Sequence, residues 1–314
     1  MLNYYSKFEN RLLTLFVAVL IALAFAISSA KAAELTMVNS ATNIWRTRSA
    51  DSEGSFSAFQ WGIKGDVQVP ADYDGDGSQD LAVWRPSSGT WYILGSQNGK
   101  FSQVTWDVTR ISKLNNFKDV AVPADYDGDG MSDIAIWNPA NGKWFVLTSK
   151  SNFTASTTVE WGASGDVPVP ADYDGDGRTD AAVFRPRQNR WLIAQSRTGD
   201  LVSHEFGVAG KDILVPADYT GDGRADIAVY RAGTWHVFDL ATKEIEIFSF
   251  GYADAQPVPA DYNGDGTTDF AFYRDGSWHI YESGEPLLRV IRFGAAGEVP
   301  LNSLCAKASL VTVR

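Results

Sequence analysis

Eighteen aspartates fall at four fixed spacings within five short loops of this 314-residue chain. Each loop reads Asp-Tyr-Asp-Gly-Asp-Gly-x-x-Asp or a near copy and follows Val-Pro-Ala, the five beginning at Asp72, Asp125, Asp172, Asp218 and Asp261. Carboxylates at loop positions 1, 3, 5 and 9, with the main-chain carbonyl of position 7, make an all-oxygen donor set. Ca2+ takes six to eight such oxygens in a flexible arrangement, whereas Mg2+ demands a rigid octahedron and keeps its waters. The first loop offers Asp72, Asp74, Asp76, Ser78 and Asp80; the second Asp125, Asp127, Asp129, Met131 and Asp133; the third Asp172, Asp174, Asp176, Arg178 and Asp180. The fourth offers Asp218, Thr220, Asp222, Arg224 and Asp226, and the fifth Asp261, Asn263, Asp265, Thr267 and Asp269. About five Ca2+ ions are therefore expected. The fourth and fifth sites should be weaker, because Thr220 and Asn263 each remove a carboxylate.

An EF-hand opens in the same way but needs a Glu at position 12 between two helices. Here position 12 is Val83, Ile136, Val183, Val229 or Phe272. The ninth Asp instead opens an apolar, β-rich run such as Asp80-Leu-Ala-Val-Trp84, which reads as a strand. A turn follows, containing Gly in every one of these copies but the third, where it reads Pro186-Arg-Gln-Asn189, then a strand led by Trp91, Trp144, Trp191, Trp235 or Trp278. The turns Arg231–Thr234 and Arg274–Ser277 are short, and Asp275-Gly276 is a strong hairpin signal. A third strand ends at Trp61-Gly62, Trp106-Asp107, Trp161-Gly162, Phe206-Gly207, Phe250-Gly251 or Phe293-Gly294. A fourth runs into the next acidic loop. Nothing after the leader keeps a helical period.

The count of units follows from the two ends. Six aromatic endings and six Val-Pro elements occur, the last being Val299-Pro300. Glu34 lies eleven residues before Trp45, the spacing of Asp80 from Trp91, so the N-terminal segment is a copy without its first strand and loop. Gly297–Pro300 supplies the missing piece. Complementary halves at the two ends suit a closed ring, and closure removes the open sheet edges that invite aggregation. The expected fold is all-β, a six-bladed β-propeller of four-stranded blades sealed by both termini.

The sequence aromatic-Gly, Val-Pro-Ala, Asp-x-Asp-x-Asp-Gly-x-x-Asp resembles the FG-GAP repeat of integrin alpha-subunit propellers and the VCBS-type repeats of secreted bacterial proteins. The resemblance covers residues 33–314. It implies a propeller with calcium held between the first two strands of a blade, used for adhesion or ligand binding. Integrin propellers have seven blades and fewer metal loops, so blade number and partner are not carried over. Some fungal lectin propellers are similar too.

Lys7 and Arg11 precede an apolar run from Leu12 to Ile27, and Ala30-Lys31-Ala32 offers small residues for cleavage before Ala33. Residues 1–32 thus read as a secretory signal peptide, the run being short for a membrane span, and the chain is expected to be secreted or periplasmic without a stable membrane anchor. Cys305 is the only cysteine and can form no internal disulfide. The chain carries a net −11; the leader holds +2 of its own, leaving −13, and five Ca2+ would bring that to −3. Most of the acidity is ligand, and no basic face invites nucleic acid.

The remaining features repeat with the blade. Trp45, Trp91, Trp144, Trp191, Trp235 and Trp278 form one ring of positions and read as core between blades. Arg85, Arg185, Arg231 and Arg274 each follow an aromatic residue, with Asn39 and Asn138 at the equivalent places, and are expected to pair with a neighbouring blade's carboxylate or to stack. His204, His236 and His279 are the only histidines; the last two share the strand position of Tyr92 and Phe145, which favours packing. No catalytic set stands apart from the repeat. One stretch breaks the pattern, 107–118, with Arg110, Lys113 and Lys118. The reading is a calcium-binding interaction or adhesion module with an extracellular protein or glycan as partner, and not an enzyme. The alternatives are a carbohydrate-binding lectin and, behind it, a polysaccharide lyase or hydrolase.

Overall fold

The computed structural model describes residues 31–51, 55–106, 119–284 and 287–301. Residues 1–30 of the leader, the 107–118 stretch and Cys305 lie outside them. Six sheets of four antiparallel strands follow one another around a ring. The closing blade contains β1 (Glu34–Asn39), β2 (Ile44–Ser49) and β3 (Ser57–Gln60). Blade 1 is β4 (Val67–Gln68), β5 (Leu81–Arg85), β6 (Thr90–Leu94) and β7 (Phe101–Thr105). Blade 2 is β8 (Val120–Ala121), β9 (Ile134–Asn138), β10 (Lys143–Leu147) and β11 (Ser156–Glu160). Blade 3 is β12 (Val167–Pro168), β13 (Ala181–Arg185), β14 (Arg190–Ala194) and β15 (Leu201–Glu205). Blade 4 is β16 (Ile213–Leu214), β17 (Ile227–Arg231), β18 (Thr234–Phe238) and β19 (Ile245–Ser249). Blade 5 is β20 (Gln256–Pro257), β21 (Phe270–Arg274), β22 (Ser277–Tyr281) and β23 (Leu288–Arg292), and β24 (Val299–Leu301) returns to the closing blade.

Strand chemistry follows position in the blade. The second strands are apolar on both faces because both are covered: Ala82, Val83 and Trp84 of β5 are all buried. The outermost strands alternate, as in β7 and β15, because one face meets water. The six Trp of the repeat are at most 1% exposed and each reaches the following blade. Trp91 packs with Ile134 and Phe145, Trp191 with Ile227, and Trp278 with Leu35 and Met37. Burying the ring obliges its N–H to find an acceptor. In five of the six, Nε1 donates to the carbonyl of the aromatic residue that ends the blade's last strand, as Trp144 does to Trp161 at 2.8 Å.

The arginines depart from expectation. Arg85, Arg185 and Arg231 pair with Asp66, Asp166 and Asp212 of their own blade, not with a neighbour. The carboxylate sits just before the blade's first strand and the arginine at the end of its second, which antiparallel pairing places side by side. Asn138 and Asp119 make the same contact in blade 2 at 2.7 Å. Stacking accompanies the pair in blade 1, where the Arg85 guanidinium lies 4.4 Å from the Tyr92 ring centre.

The ring closes where the two halves of the broken blade meet. Val299, Pro300 and Leu301 pair with Val38, Met37 and Thr36. Glu298 also ion-pairs with Arg46 on β2. Deleting residues 297–314 removes β24 and exposes the inner edge of β1. We expect that truncation to aggregate or to melt well below the intact chain, as read by size-exclusion chromatography and thermal denaturation; a monomer with an unchanged Tm would show that closure contributes little.

Candidate metal centres

Each acidic loop connects the first and second strands of its blade, and its ninth aspartate is the hub. In blade 1 the Asp80 N–H donates to Ala71 at 2.8 Å, its Oδ2 accepts from the Tyr73 N–H at 2.8 Å, and its Oδ1 accepts from the Ser96 N–H at 2.7 Å. Asp133, Asp180 and Asp269 make the same three contacts. All four are 0% exposed. The tyrosine beside the hub is itself latched, for Tyr73 Oη donates to Val69 at 2.8 Å, and its four counterparts do likewise. The repeating Val-Pro-Ala-Asp-Tyr is thus a mechanical unit in which the hydroxyl fills the carbonyl that precedes the proline.

The first aspartate shapes the loop. Asp72 Oδ1 accepts from Gly75 and Asp76, and Oδ2 from Gly77, at 2.7–3.2 Å. Gly75 and Gly77 have φ of +78° and +81°, which glycine adopts at no steric cost.

The third aspartate is different. Both carboxylate oxygens of Asp74 and of Asp127, and Oδ1 of Asp174, are buried without any hydrogen-bond partner. Buried oxygens of this kind are costly unless something positive meets them. They stand beside the first and ninth aspartates: Asp72, Asp74 and Asp80 each present an oxygen within 4.8 Å of the others, and so do Asp125, Asp127 and Asp133, and Asp172, Asp174 and Asp180. Burial, followed by the charge of the fifth-position aspartate, raises the pKa of Asp74, Asp127 and Asp174. Three oxygen clusters with uncompensated lone pairs fit a hard cation.

The fifth-position aspartates stand outside these groups. Asp76 Oδ1 accepts from the Ser78 N–H at 2.7 Å and from Ser96 Oγ at 3.0 Å. Asp129, Asp176 and Asp265 likewise take the N–H of position 7 and a serine hydroxyl, from Ser149, Ser196 and Ser283. Asp222 takes the Arg224 N–H. These serines, on the hairpin between the third and fourth strands, escaped the sequence reading. Their signal is regular: each lies sixteen residues after the ninth Asp, or fourteen in blade 5 where the preceding turn is shorter. Blade 4 has Leu240 at that place.

In the fourth and fifth loops, Thr220 N–H donates to Asp226 at 3.2 Å, and Asn263 Nδ2 donates to Asp265 at 2.9 Å. Position 7 faces the preceding blade: the side chains of Met131, Arg178, Arg224 and Thr267 lie over Gly75, Gly128, Gly175 and Gly221.

Comparison with known families agrees with this geometry. The model of the FG-GAP-like repeat matches residues 72–136, 125–183 and 172–229, half of the chain. The chain belongs to the FG-GAP-like repeat family. Among solved structures, a lectin of Agrocybe aegerita that recognises non-reducing terminal N-acetylglucosamine superposes with a TM-score of 0.52 at 13% identity, over 88% of this chain and 97% of that one. AofleA of Arthrobotrys oligospora superposes with a TM-score of 0.50 at 13% identity, over 87% and 89%. At this identity the likeness is one of fold. No curated protein matches the chain.

Without a cation, burial raises the proton affinity of the hub carboxylates in the FG-GAP loops. Burial pushes Asp80, Asp180 and Asp269 up to about 6 and Asp226 to about 7, the last also through the charges of Asp239 and Asp218. Their unfolded value is near 3.9. Raised folded values stabilise fully below about pH 4, and that stability is lost as pH rises through 6 to 7. In chelator, Tm should therefore fall between pH 5 and pH 8, and scanning calorimetry across that range checks it; a Tm that climbs would contradict the proton-bound hubs. The serine clasp has its own test. Ser149 Oγ is buried against Asp129 and Asp133 at 3.0 and 2.9 Å. Ser149→Ala should cost about 1 kcal/mol, read as a Tm lower by roughly 2–4 °C.

Proposed function

We propose that this chain is an exported, calcium-stabilised propeller that serves as an interaction or adhesion module. The observation that carries the metal is the set of buried, partnerless oxygens on Asp74, Asp127 and Asp174. A divalent cation meets them without any rearrangement of strands. Asp72, Asp74 and Asp80, with their counterparts in blades 2 and 3, would hold it; the bound cation would neutralise charge that the folded chain otherwise holds by protonation. At about 1 mM external calcium and a dissociation constant near 0.1 mM, each site adds roughly 1.4 kcal/mol. Several such sites reach the scale of a domain's net stability, about 5–15 kcal/mol. A chain without an internal disulfide gains a covalent-free way to stay folded outside the cell, consistent with export behind residues 1–32.

The binding role rests on the distribution of the chemistry. Aspartates, tyrosines, tryptophans and arginines recur blade by blade in structural contacts, which supports a scaffold over an enzyme centre. A protein partner is the first reading and a glycan the second; the superposable lectin supports the fold a glycan binder needs, and no more. The ring of repeat tryptophans is too buried to stack on a sugar.

Calcium titration of the purified protein should show uptake at the loops of blades 1–3 at least, and chelation should lower Tm by many degrees with little rescue by magnesium. Asp127→Asn should remove one equivalent of calcium. An isotherm without calcium uptake sinks the metal reading. Glycan-array and pull-down binding, each with and without calcium, then separates lectin from protein binder.

A further inference from the structure

Two buried indole N–H groups in blade 1 have no acceptor. Trp84 and Trp91 are 5% and 0% exposed, and Nε1 of each is without a hydrogen-bond partner. We propose that the ring has a built-in hinge here, opening between blades 1 and 2 at the end remote from the acidic loops. The inference is independent of the calcium and partner readings above.

Blade 2 shows what blade 1 lacks. There Trp137 and Trp144 occupy the places of Trp84 and Trp91, and both donate to one oxygen, the Trp161 carbonyl, at 3.4 and 2.8 Å. The matching carbonyl in blade 1 belongs to Trp106. The strand that carries it arrives in the usual way, for the Trp106 N–H donates to Gly89 at 2.9 Å as the Trp161 N–H does to Gly142 at 2.9 Å. Only the carbonyl is out of reach of the two indoles. The residue that follows it is the difference. In four other blades Gly62, Gly162, Gly207 and Gly251 follow the aromatic residue, with φ from +88° to +141°. Asp107 stands at that place in blade 1, and a side chain disfavours such a backbone.

The same boundary also lacks a bond across it. Trp61 Nε1 donates to Tyr92 of the next blade at 3.4 Å, and Trp161 Nε1 to Leu192 at 3.0 Å. Trp106 packs on the core that blades 1 and 2 share. Among the described residues it makes no such bond to Phe145, the residue at the corresponding place. At the loop end the two blades stay joined, since the Ser132 N–H donates to Asp72 at 2.6 Å. That contact is the pivot. A buried donor without an acceptor costs the folded state its desolvation, and water that reaches it restores a bond. Opening this end of blade 1 therefore gains two hydrogen bonds, whereas the same motion in blade 2 breaks two. Local openings follow such differences.

Solvent exchange of the indole Nε1 protons tests the hinge on the full chain carrying isotope-labelled tryptophan, each signal assigned by a single Trp→Phe variant. Trp84 and Trp91 should exchange at least about tenfold faster than Trp137 and Trp144. Main-chain hydrogen exchange read by mass spectrometry should follow the same order, β6 and β7 ahead of β10 and β11. Asp107→Gly restores the aromatic-glycine ending and should slow both indoles to the rate of Trp144. Equal protection of the two pairs of indoles or of the two pairs of strands overturns the proposal, and so does an Asp107→Gly protein whose indoles exchange as before.

Discussion

The acidic loops are not independent, and one main-chain hydrogen bond explains why. The N–H of position 8 in each loop donates to the carbonyl of position 1 in the loop before it: Ser132 to Asp72, Thr179 to Asp125 and Ala225 to Asp172 at 2.6 Å, and Thr268 to Asp218 at 2.7 Å. The loop that curls around its own first aspartate is thereby held by its neighbour. With the position 7 side chain lying over the neighbour's glycine, any change in the curl of one loop is felt by the next. This contact fixes the rotation between successive blades at the loop end, while the tryptophans fix it within the core.

The closing blade has no acidic loop, and Lys31–Ala33 stands in its place. Ala33 N–H donates to Asp261 at 2.6 Å, which continues the series of loop contacts, and Lys31 Nζ lies 3.7 Å from Asp76 on the other side. Cleavage before Ala33 would keep the backbone contact with the fifth loop and remove the Lys31 contact with the first. The opposite end of the blades is built on a different principle. There each blade carries its own ion pair or amide–carboxylate contact, such as Arg185 with Asp166, so charges are matched locally. One end concentrates carboxylates in the acidic loops; at the other they are matched by side chains of the same blade.

The architecture was legible in the sequence because the repeat is strict where backbone geometry is demanding. Glycines at positive φ, aspartates at ligand spacing and the Val-Pro-Ala run all mark one loop, and eleven residues from Glu34 to Trp45 exposed the broken blade. What escaped lies across strands. The serines that clasp the fifth aspartates sit on another hairpin, at a separation that changes by two with the length of an intervening turn. The arginine pairs were expected between blades because a repeat motif read in one dimension cannot say which carboxylate, nineteen residues back or in the next copy, antiparallel pairing brings alongside. The fifth aspartates were grouped with the ligands by spacing, and the structure adds that one oxygen of each accepts from the N–H of position 7 and, outside blade 4, from a serine hydroxyl.

Departures from the repeat are where a propeller of this kind acquires individuality. A blade that copies its neighbours does structural work that its neighbours also do, so it offers a partner nothing specific. Blade 4 departs three times from the repeat: Thr220 in the loop, Leu240 where the hairpins of blades 1, 2, 3 and 5 have serine, and Asp239 at the hairpin position just before it. Each change alone would weaken the loop, since a carboxylate and a clasp are lost. The hub registers these changes: burial, with the charges of Asp239 and Asp218 beside it, raises Asp226 to about 7, against about 6 for Asp80, Asp180 and Asp269. The fourth loop is thus the one whose hub carries the highest proton affinity among Asp80, Asp180, Asp226 and Asp269, and its backbone contacts to the loops on either side tie that difference to its neighbours.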